Sequence, residues 1–249
     1  MEDVISLLPM PRGVILAGGV GSRLRPYTTV LPKPLMPVGD RPVLEIVIRQ
    51  LARAGFARLT IATGHLAGLI EAYFADGARF GVEIDYFREH EPLGTVGALS
   101  SIDGLDEDFL VMNGDVLTDL DYKALLDYHR RGGQIATIAA NTKSVEISLG
   151  VLRTEDDDDP VRVTGYIEKP TLTYEVSMGV YCFSPRVMEF IPAGQRLDFP
   201  DLVLRLIDAG EAVRAWRSCD YWLDIGRSED YAQAQEDFER LRDHFLPDA

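Results

Sequence analysis

A short apolar run that ends in a glycine cluster and then meets four prolines constrains this chain more than any other feature. The run is residues 13–17, followed by Gly18, Gly19 and Gly21, and Pro26, Pro32, Pro34 and Pro37 stud the stretch 18–41. An apolar run of this length bounded by glycine reads as a buried strand feeding a loop. Proline removes a backbone donor and blocks helix, so neither a helical nor a strand period persists across the stretch. A loop this long inside a compact domain is usually functional. Glycines let backbone approach a ligand closely and leave N–H groups pointing into a concavity that suits phosphate oxygens. Two familiar phosphate loops are excluded, because Leu24 stands where a dinucleotide loop needs a small residue and no Gly-Lys-Ser/Thr of a Walker A loop is present. What remains is the glycine turn with Arg23 and, beyond the prolines, Lys33, two cations able to converge on one polyphosphate.

The rest of the first half alternates between the two periods. Leu44, Val47, Ile48 and Leu51 repeat at helical spacing. Strands are then expected at 59–62, 82–87, 109–112 and 135–140, with helices at 66–74, at 96–102 and around Tyr122, Leu125, Leu126 and His129. Such a βαβ series predicts a three-layer α/β, Rossmann-like fold with a mainly parallel sheet and helices on both faces. The second half has shorter β-like runs at 150–153, 161–167, 178–183 and 213–216, and helices at 199–209 and 228–242. It is expected to extend the sheet and to add a smaller β-rich, lid-forming part. One domain over 1–249 is expected, with a first half at 1–142 and a second half at 143–249 that ends in a helix. Residues 1–12 read as a tail, and no repeat of 20 to 50 residues is found, nor a hexapeptide array after Gly226.

Composition limits the partners. With 249 residues, 46% hydrophobic content and a formal net charge of -15 spread along the chain, a nucleic-acid backbone or an anionic membrane is not the expected partner. A small anionic substrate is compatible with that charge, because a few placed cations set the local field. No apolar run approaches the roughly 18 to 20 residues of a membrane span, and no signal-peptide pattern opens the chain, so a cytoplasmic location is expected. Cys182 and Cys219 form no CxxC pair and are expected as core thiols.

Two later aspartates carry chemistry. Asp115 follows the apolar FLVM run, at a strand's carboxyl end, where open α/β sheets bind ligands. Asp224 is flanked by Trp222, Leu223 and Ile225, so it is expected to be buried and to need a cation. Two carboxylates with phosphate oxygens and water make a reasonable Mg²⁺ site. Residues 156–159, four consecutive aspartates, read as a solvated turn.

Residues 16–34, LAGGVGSRLRPYTTVLPKP, resemble the signature GGxGxRLxPxTxxxPKP of the sugar-1-phosphate nucleotidyltransferases, or nucleotide-sugar pyrophosphorylases. EPLGTVGAL at 91–99, NGD at 113–115, EKP at 168–170 and YWLDIG at 221–226 match the same family in order. The EPLGTVGAL segment looks most like mannose-1-phosphate and heptose-1-phosphate guanylyltransferases. The resemblance makes 1–142 the nucleotide-binding half and 143–249 the sugar-phosphate-binding half, and implies a nucleotide site at Leu16, Ala17, Gly18, Gly19, Gly21, Ser22, Arg23, Glu91, Pro92, Gly94, Thr95, Asn113 and Gly114. It implies a sugar-phosphate site at Gly150, Glu168, Lys169, Ser177 and Gly179, a metal site for Mg²⁺ at Asp115 and Asp224, and catalytic roles for Arg23, Lys33, Asp115, Lys169 and Asp224. The implied partners are an NTP, with GTP first, and a sugar 1-phosphate of mannose or heptose type, with homo-oligomerisation left open. One departure stands out: relatives carry a sugar-reading asparagine where this chain has Ser177 and Met178. The alternatives are the same transfer with another base and glucose 1-phosphate, or a non-catalytic nucleotide-sugar sensor of the same fold.

Overall fold

Strand β1 (Arg12–Ala17) buries Val14 in one apolar layer and Ile15 and Ala17 in another, since successive side chains on a strand point to opposite faces. The computed structural model describes residues 11–89, 91–155 and 161–247. The expected tail at 1–12 therefore falls almost wholly, and the acidic turn at 156–159 wholly, outside the described residues. After β1 come the two-residue strands β2 (Pro37–Val38) and β3 (Arg41–Pro42), helix α1 (Val43–Arg53), β4 (Arg58–Thr63), α2 (Ala67–Phe74), β5 (Glu83–Arg88) and the one-turn α3 (Gly94–Gly97). The middle of the chain gives β6 (Phe109–Asn113), β7 (Val116–Thr118), α4 (Tyr122–Gly132), β8 (Ala136–Glu146), β9 (Val151–Thr154) and β10 (Val163–Ile167). It closes with β11 (Thr171–Phe183), α5 (Phe199–Asp208), β12 (Val213–Arg217), β13 (Trp222–Asp224) and α6 (Ser228–Phe245).

Seven strands form the central sheet in the order β12-β8-β11-β6-β1-β4-β5. All pairings are parallel except the two made by β11. The same alternation seen in β1 recurs in β6, where Leu110 and Met112 face one layer and Phe109 and Val111 the other. Helices α1, α2 and α4 cover the first layer through Leu44, Ile70 and Leu125, and α5 covers the second through Phe199, Leu202 and Leu206. The expected α/β three-layer arrangement is therefore the observed one.

Sheet order also fixes where a ligand can sit. From β1 the chain moves outward to β4 and β5, then returns to β6 on the other side of β1. The carboxyl ends of β1 and β6 thus flank a topological switch point, the crevice that open α/β sheets use for binding. The glycine loop leaves the end of β1, and the Asn113-Gly114-Asp115 turn leaves the end of β6.

Several boundaries differ from the periodicity. Strands β8 and β11 run on as a long antiparallel arm from Asn141↔Val176 to Glu146↔Thr171, mostly exposed. No buried face imposes alternation there, so only the buried ends at 135–140 and 178–183 were legible. The expected helix at 96–102 is a single α-turn continued as a 3-10 turn. Strands β9 and β10 pair with each other in a separate ribbon, which is the expected β-rich part. Cys182 is buried, and burial pushes its thiol pKa up, but Cys219 is exposed and is not a core residue.

Candidate active site

The long loop is ordered by short turns rather than by regular structure. Three 3-10 turns, Ser22–Leu24, Tyr27–Thr29 and Lys33–Leu35, carry the chain through its prolines to the β2–β3 ribbon. Leu24, the residue that breaks the dinucleotide fingerprint, is 1% exposed and packs with Ile225, Phe238 and Val43. It ties the loop to α6 and leaves Arg23 at the surface beside it. Gly21 is required twice over. Its φ of +63° is left-handed, and a Cβ there would lie 3.0 Å from Thr28 Cγ2 and 3.2 Å from Lys33 Cβ. The Thr28 hydroxyl donates to the Gly21 carbonyl at 2.8 Å, which closes the loop on itself. Lys33 is thereby held nearly buried, at 9% exposure, with its ammonium directed to the end of β6.

Here three of the predicted charged residues, Lys33, Asp115 and Asp224, meet. The Lys33 ammonium donates to Asp115 and lies 3.9 Å from Asp224 Oδ1. The aspartates, far apart in sequence, are joined because β13 pairs antiparallel with β7 and the Ile225 N–H donates to the Asp115 carbonyl at 3.2 Å. Asp224 is not the buried residue its apolar neighbours suggested: its side chain is 48% exposed. Trp222 and Leu223 are only partly covered, because β13 belongs to a two-stranded ribbon rather than to the central sheet. Partial burial and the nearby Asp115 charge raise the Asp224 pKa, against the lowering effect of Lys33 and Arg23.

This cluster lies between two cavities. One, of 330 Å³, is lined by Leu16, Gly18, Gly19, Pro92, Gly94, Thr95, Asn113 and Asp115, all expected site residues, and by Glu89 and Asp198. The other, of 510 Å³, contains Arg23, Asp224 and Gly226 with Asn141, Thr142, Lys143, Trp222, Leu223, Arg227 and Asp230. A third cavity, of 360 Å³ beside Gln50, Arg53, Asp119 and Lys123, holds none of the expected residues.

The first cavity is built by cross-links at the sheet's end. Gly114 N–H donates to the Leu16 carbonyl at 2.9 Å, locking the two strand ends together. Gly94 has φ +77°, and a Cβ there would stand 2.5 Å from the Leu197 carbonyl oxygen, so only glycine permits this approach to α5. The Thr95 hydroxyl oxygen accepts from Phe199 N–H at 2.6 Å, and Asp198 Oδ1 accepts from Thr95 N–H at 3.1 Å. Thr95 is thus engaged with the start of α5 as well as lining the cavity. Glu89, which sequence reasoning missed, stands just beyond β5, and its Oε2 accepts from Leu93 N–H at 3.2 Å. Burial raises its pKa. Its signal was position alone, two residues ahead of the EPLGTVGAL segment.

Other expected residues lie outside both linings. Ala17 is buried in the core, Gly21 and Ser22 shape the loop, and Glu91 is exposed. Gly150, Glu168 and Lys169 lie on and beside the β9–β10 ribbon, where Tyr166 donates to Glu168 at 2.9 Å. Lys169 is exposed and carries a left-handed φ of +44°, a strained value for a residue with a side chain. Ser177 and Gly179 sit at an irregularity in β11, where the Ser177 hydroxyl oxygen accepts from Gly179 N–H at 3.3 Å. Met178 between them is fully buried, and its carbonyl accepts from the Trp222 indole at 2.8 Å. Its thioether therefore belongs to the core and not to either cavity.

The sequence profile described as Nucleotidyl transferase matches residues 12–240. The chain belongs to that family. It is 38% identical to a UTP--glucose-1-phosphate uridylyltransferase of Synechocystis sp. over 90% of this chain and 62% of that protein. It is 32% identical to a mannose-1-phosphate guanylyltransferase of Mycobacterium tuberculosis over 91% of this chain and 64% of that protein. The chain thus spans somewhat less than two thirds of the length of these nucleotidyltransferase relatives. Among solved structures, HddC from Yersinia pseudotuberculosis superposes with a TM-score of 0.69 at 28% identity, covering 92% of this chain and all of that one. The same protein has been solved complexed with GMP-PN.

Proposed function

We propose that this nucleotidyl transferase family member transfers a nucleoside monophosphate from an NTP to a sugar 1-phosphate and releases pyrophosphate. The observation that carries the reading is the Lys33–Asp115–Asp224 cluster held between two cavities, one aspartate lining each. A reaction between two anions needs fixed positive charge where they meet, and the cluster supplies it at the boundary of the two cavities.

In the proposed step an oxygen of the sugar phosphate bonds to the α-phosphorus in line. The bond from that phosphorus to the bridging oxygen breaks, and its electron pair leaves with pyrophosphate. A phosphate monoester has its second pKa near 6, so the nucleophile is already ionised at neutral pH and no general base is needed. Neither cavity is lined by a histidine among the described residues. Lys33 reaches the reacting phosphates, Arg23 the β and γ phosphates, and Lys169 the incoming sugar phosphate, with Glu168, Gly150, Ser177 and Gly179 on the sugar side. Asp115 and Asp224 fit Mg²⁺, which takes one or two protein carboxylates and completes its shell with phosphate oxygens and water. Among the described residues no set of three or more His, Cys, Asp or Glu side chains offers a full protein shell. Bound there, Mg²⁺ supplies charge neutralisation at the α-phosphate.

Glu89 supports GTP as the donor. An ionised carboxylate only accepts hydrogen bonds, and guanine offers an adjacent ring N–H and amino group, whereas uracil and thymine flank one N–H with two carbonyls. The guanylyltransferase relatives and the GMP-PN complex point the same way, with mannose or heptose 1-phosphate as acceptor. The Synechocystis relative supports a second reading, uridylyl transfer to glucose 1-phosphate. Pyrophosphate release from each NTP paired with mannose, heptose and glucose 1-phosphates tests both. Release with GTP and not UTP supports the first; release with no pair would leave the nucleotide-sugar sensor standing.

A further inference from the structure

The cavity on the Asp224 side carries more positive charge than this mechanism uses. Arg23 shares its lining with Lys143 of β8 and with Arg227. Arg227 occupies the N-cap of α6, where Ser, Thr, Asn and Asp are favoured because their side chains accept from the first helical turn. The Arg227 side chain makes no such bond. The N-terminal end of a helix already carries partial positive charge, so a guanidinium there opposes the helix's own field. Glu229 and Asp230 in the first turn counter that charge, as acids usually do there, but they do not explain the choice of arginine at the cap. A position that breaks two local preferences at the rim of a site is where function is expected to override folding.

The backbone brings this cation close to Asp224 and Arg23. Asp224, Ile225 and Gly226 lead directly into Arg227, and the Gly226 N–H bonds back to the Asp224 carbonyl at 2.8 Å. A Cβ on Gly226 would stand 3.5 Å from Arg23 Nη1, so the Arg23 guanidinium lies against the backbone immediately before Arg227. We propose that Arg227, assisted by Lys143, is a further binding residue for the leaving half of the nucleotide and holds pyrophosphate together with Arg23. This rests on the nucleotidyl-transfer reading above and adds a residue to it. Pyrophosphate gains negative charge as the bridging bond breaks, and a flexible exposed guanidinium offers paired donors to its oxygens.

The test uses Arg227→Asn, which removes the charge while supplying a favoured N-cap, and Arg227→Lys, which keeps the charge. Magnesium pyrophosphate is titrated into each protein by calorimetry, and the reverse reaction, nucleotide-sugar plus pyrophosphate, is followed in parallel. Arg227→Asn is expected to weaken pyrophosphate binding roughly tenfold, about 1.4 kcal/mol, and to raise KM for pyrophosphate by a similar factor. KM for the nucleotide-sugar should move less than twofold, and Arg227→Lys should recover most of the loss. Wild-type pyrophosphate affinity in Arg227→Asn, or equal impairment in Arg227→Asn and Arg227→Lys, overturns the assignment. A wild-type protein that binds pyrophosphate through Arg227 yet catalyses neither direction would instead remove the transferase reading alone.

Discussion

Replacing Gly21 with alanine tests whether the loop's backbone geometry sets the position of Lys33. The substitution asks a residue with a Cβ to hold φ +63°, which costs about 1–2 kcal/mol. It also places that Cβ 3.0 Å from Thr28 Cγ2 and 3.2 Å from Lys33 Cβ, and overpacking of this kind costs about 1–3 kcal/mol. Loss of unfolded-state freedom returns about 0.4–1 kcal/mol. The net expectation is destabilisation of about 1–4.5 kcal/mol, or roughly 2–18 °C in Tm at about 2–4 °C per kcal/mol for a domain of this size. Thr28 is pinned by its bond to the Gly21 carbonyl, so the strain goes towards Lys33. A shift of a few tenths of an ångström at Lys33 Cβ is passed along the side chain and changes where the ammonium sits against Asp115, and misplacement of a positioning group by about 1 Å can cost 10²-fold in rate. We expect kcat/KM to fall about 10- to 100-fold, measured as pyrophosphate release beside thermal melting. Gly68→Ala is the control: it lies within α2 with nothing within 4 Å of the new Cβ, and should stabilise by about 0.5–1 kcal/mol. A Gly21→Ala protein that melts lower yet keeps kcat/KM within twofold of wild type would refute the link between loop strain and Lys33.

Asp224→Asn should lower kcat by about 10²- to 10³-fold, by analogy with loss of a single transition-state contact, and should shift the Mg²⁺ dependence of the rate; an unchanged Mg²⁺ profile would remove Asp224 from the metal site. Glu89→Gln should reduce kcat/KM for GTP about 10- to 100-fold, the value of one hydrogen bond to a charged group, and favour UTP; an unaltered GTP-to-UTP ratio in competition assays would end the base-reading role. Burial lowers the pKa of His129, with a smaller opposing effect of Asp108 and a further lowering by Arg130. The unfolded chain therefore binds this proton first, so stability is full above about pH 6.5 and declines as pH falls towards the depressed folded value, by at most about 1.4 kcal/mol per pH unit. Urea unfolding between pH 7.5 and 5.5 should show this slope, and His129→Leu should flatten it; an identical slope in the variant would place the titration elsewhere.

Local sequence was sufficient wherever a residue's role depends on its neighbours in the chain. The buried alternation of β1 and β6, the helical stripe of α1 and the glycine turn with Arg23 and Lys33 were all readable, because period and backbone freedom are local properties. The placement of Asp115 at a strand's carboxyl end could be anticipated as well, though not its contact with Lys33, 82 residues away in the chain. The exposed arm of β8 and β11 could not, since without a buried face nothing imposes a pattern. Nor could the exposure of Asp224, whose apolar neighbours belong to a two-stranded ribbon only half covered by the fold. Glu89 and Arg227 carry no distinctive sequence signal. They became candidates only when the sheet's return from β5 to β6 and the β7–β13 pairing set them on the walls of two cavities. Those walls form where segments distant in the chain converge, and that convergence depends on packing across the whole sheet rather than on any one stretch of residues.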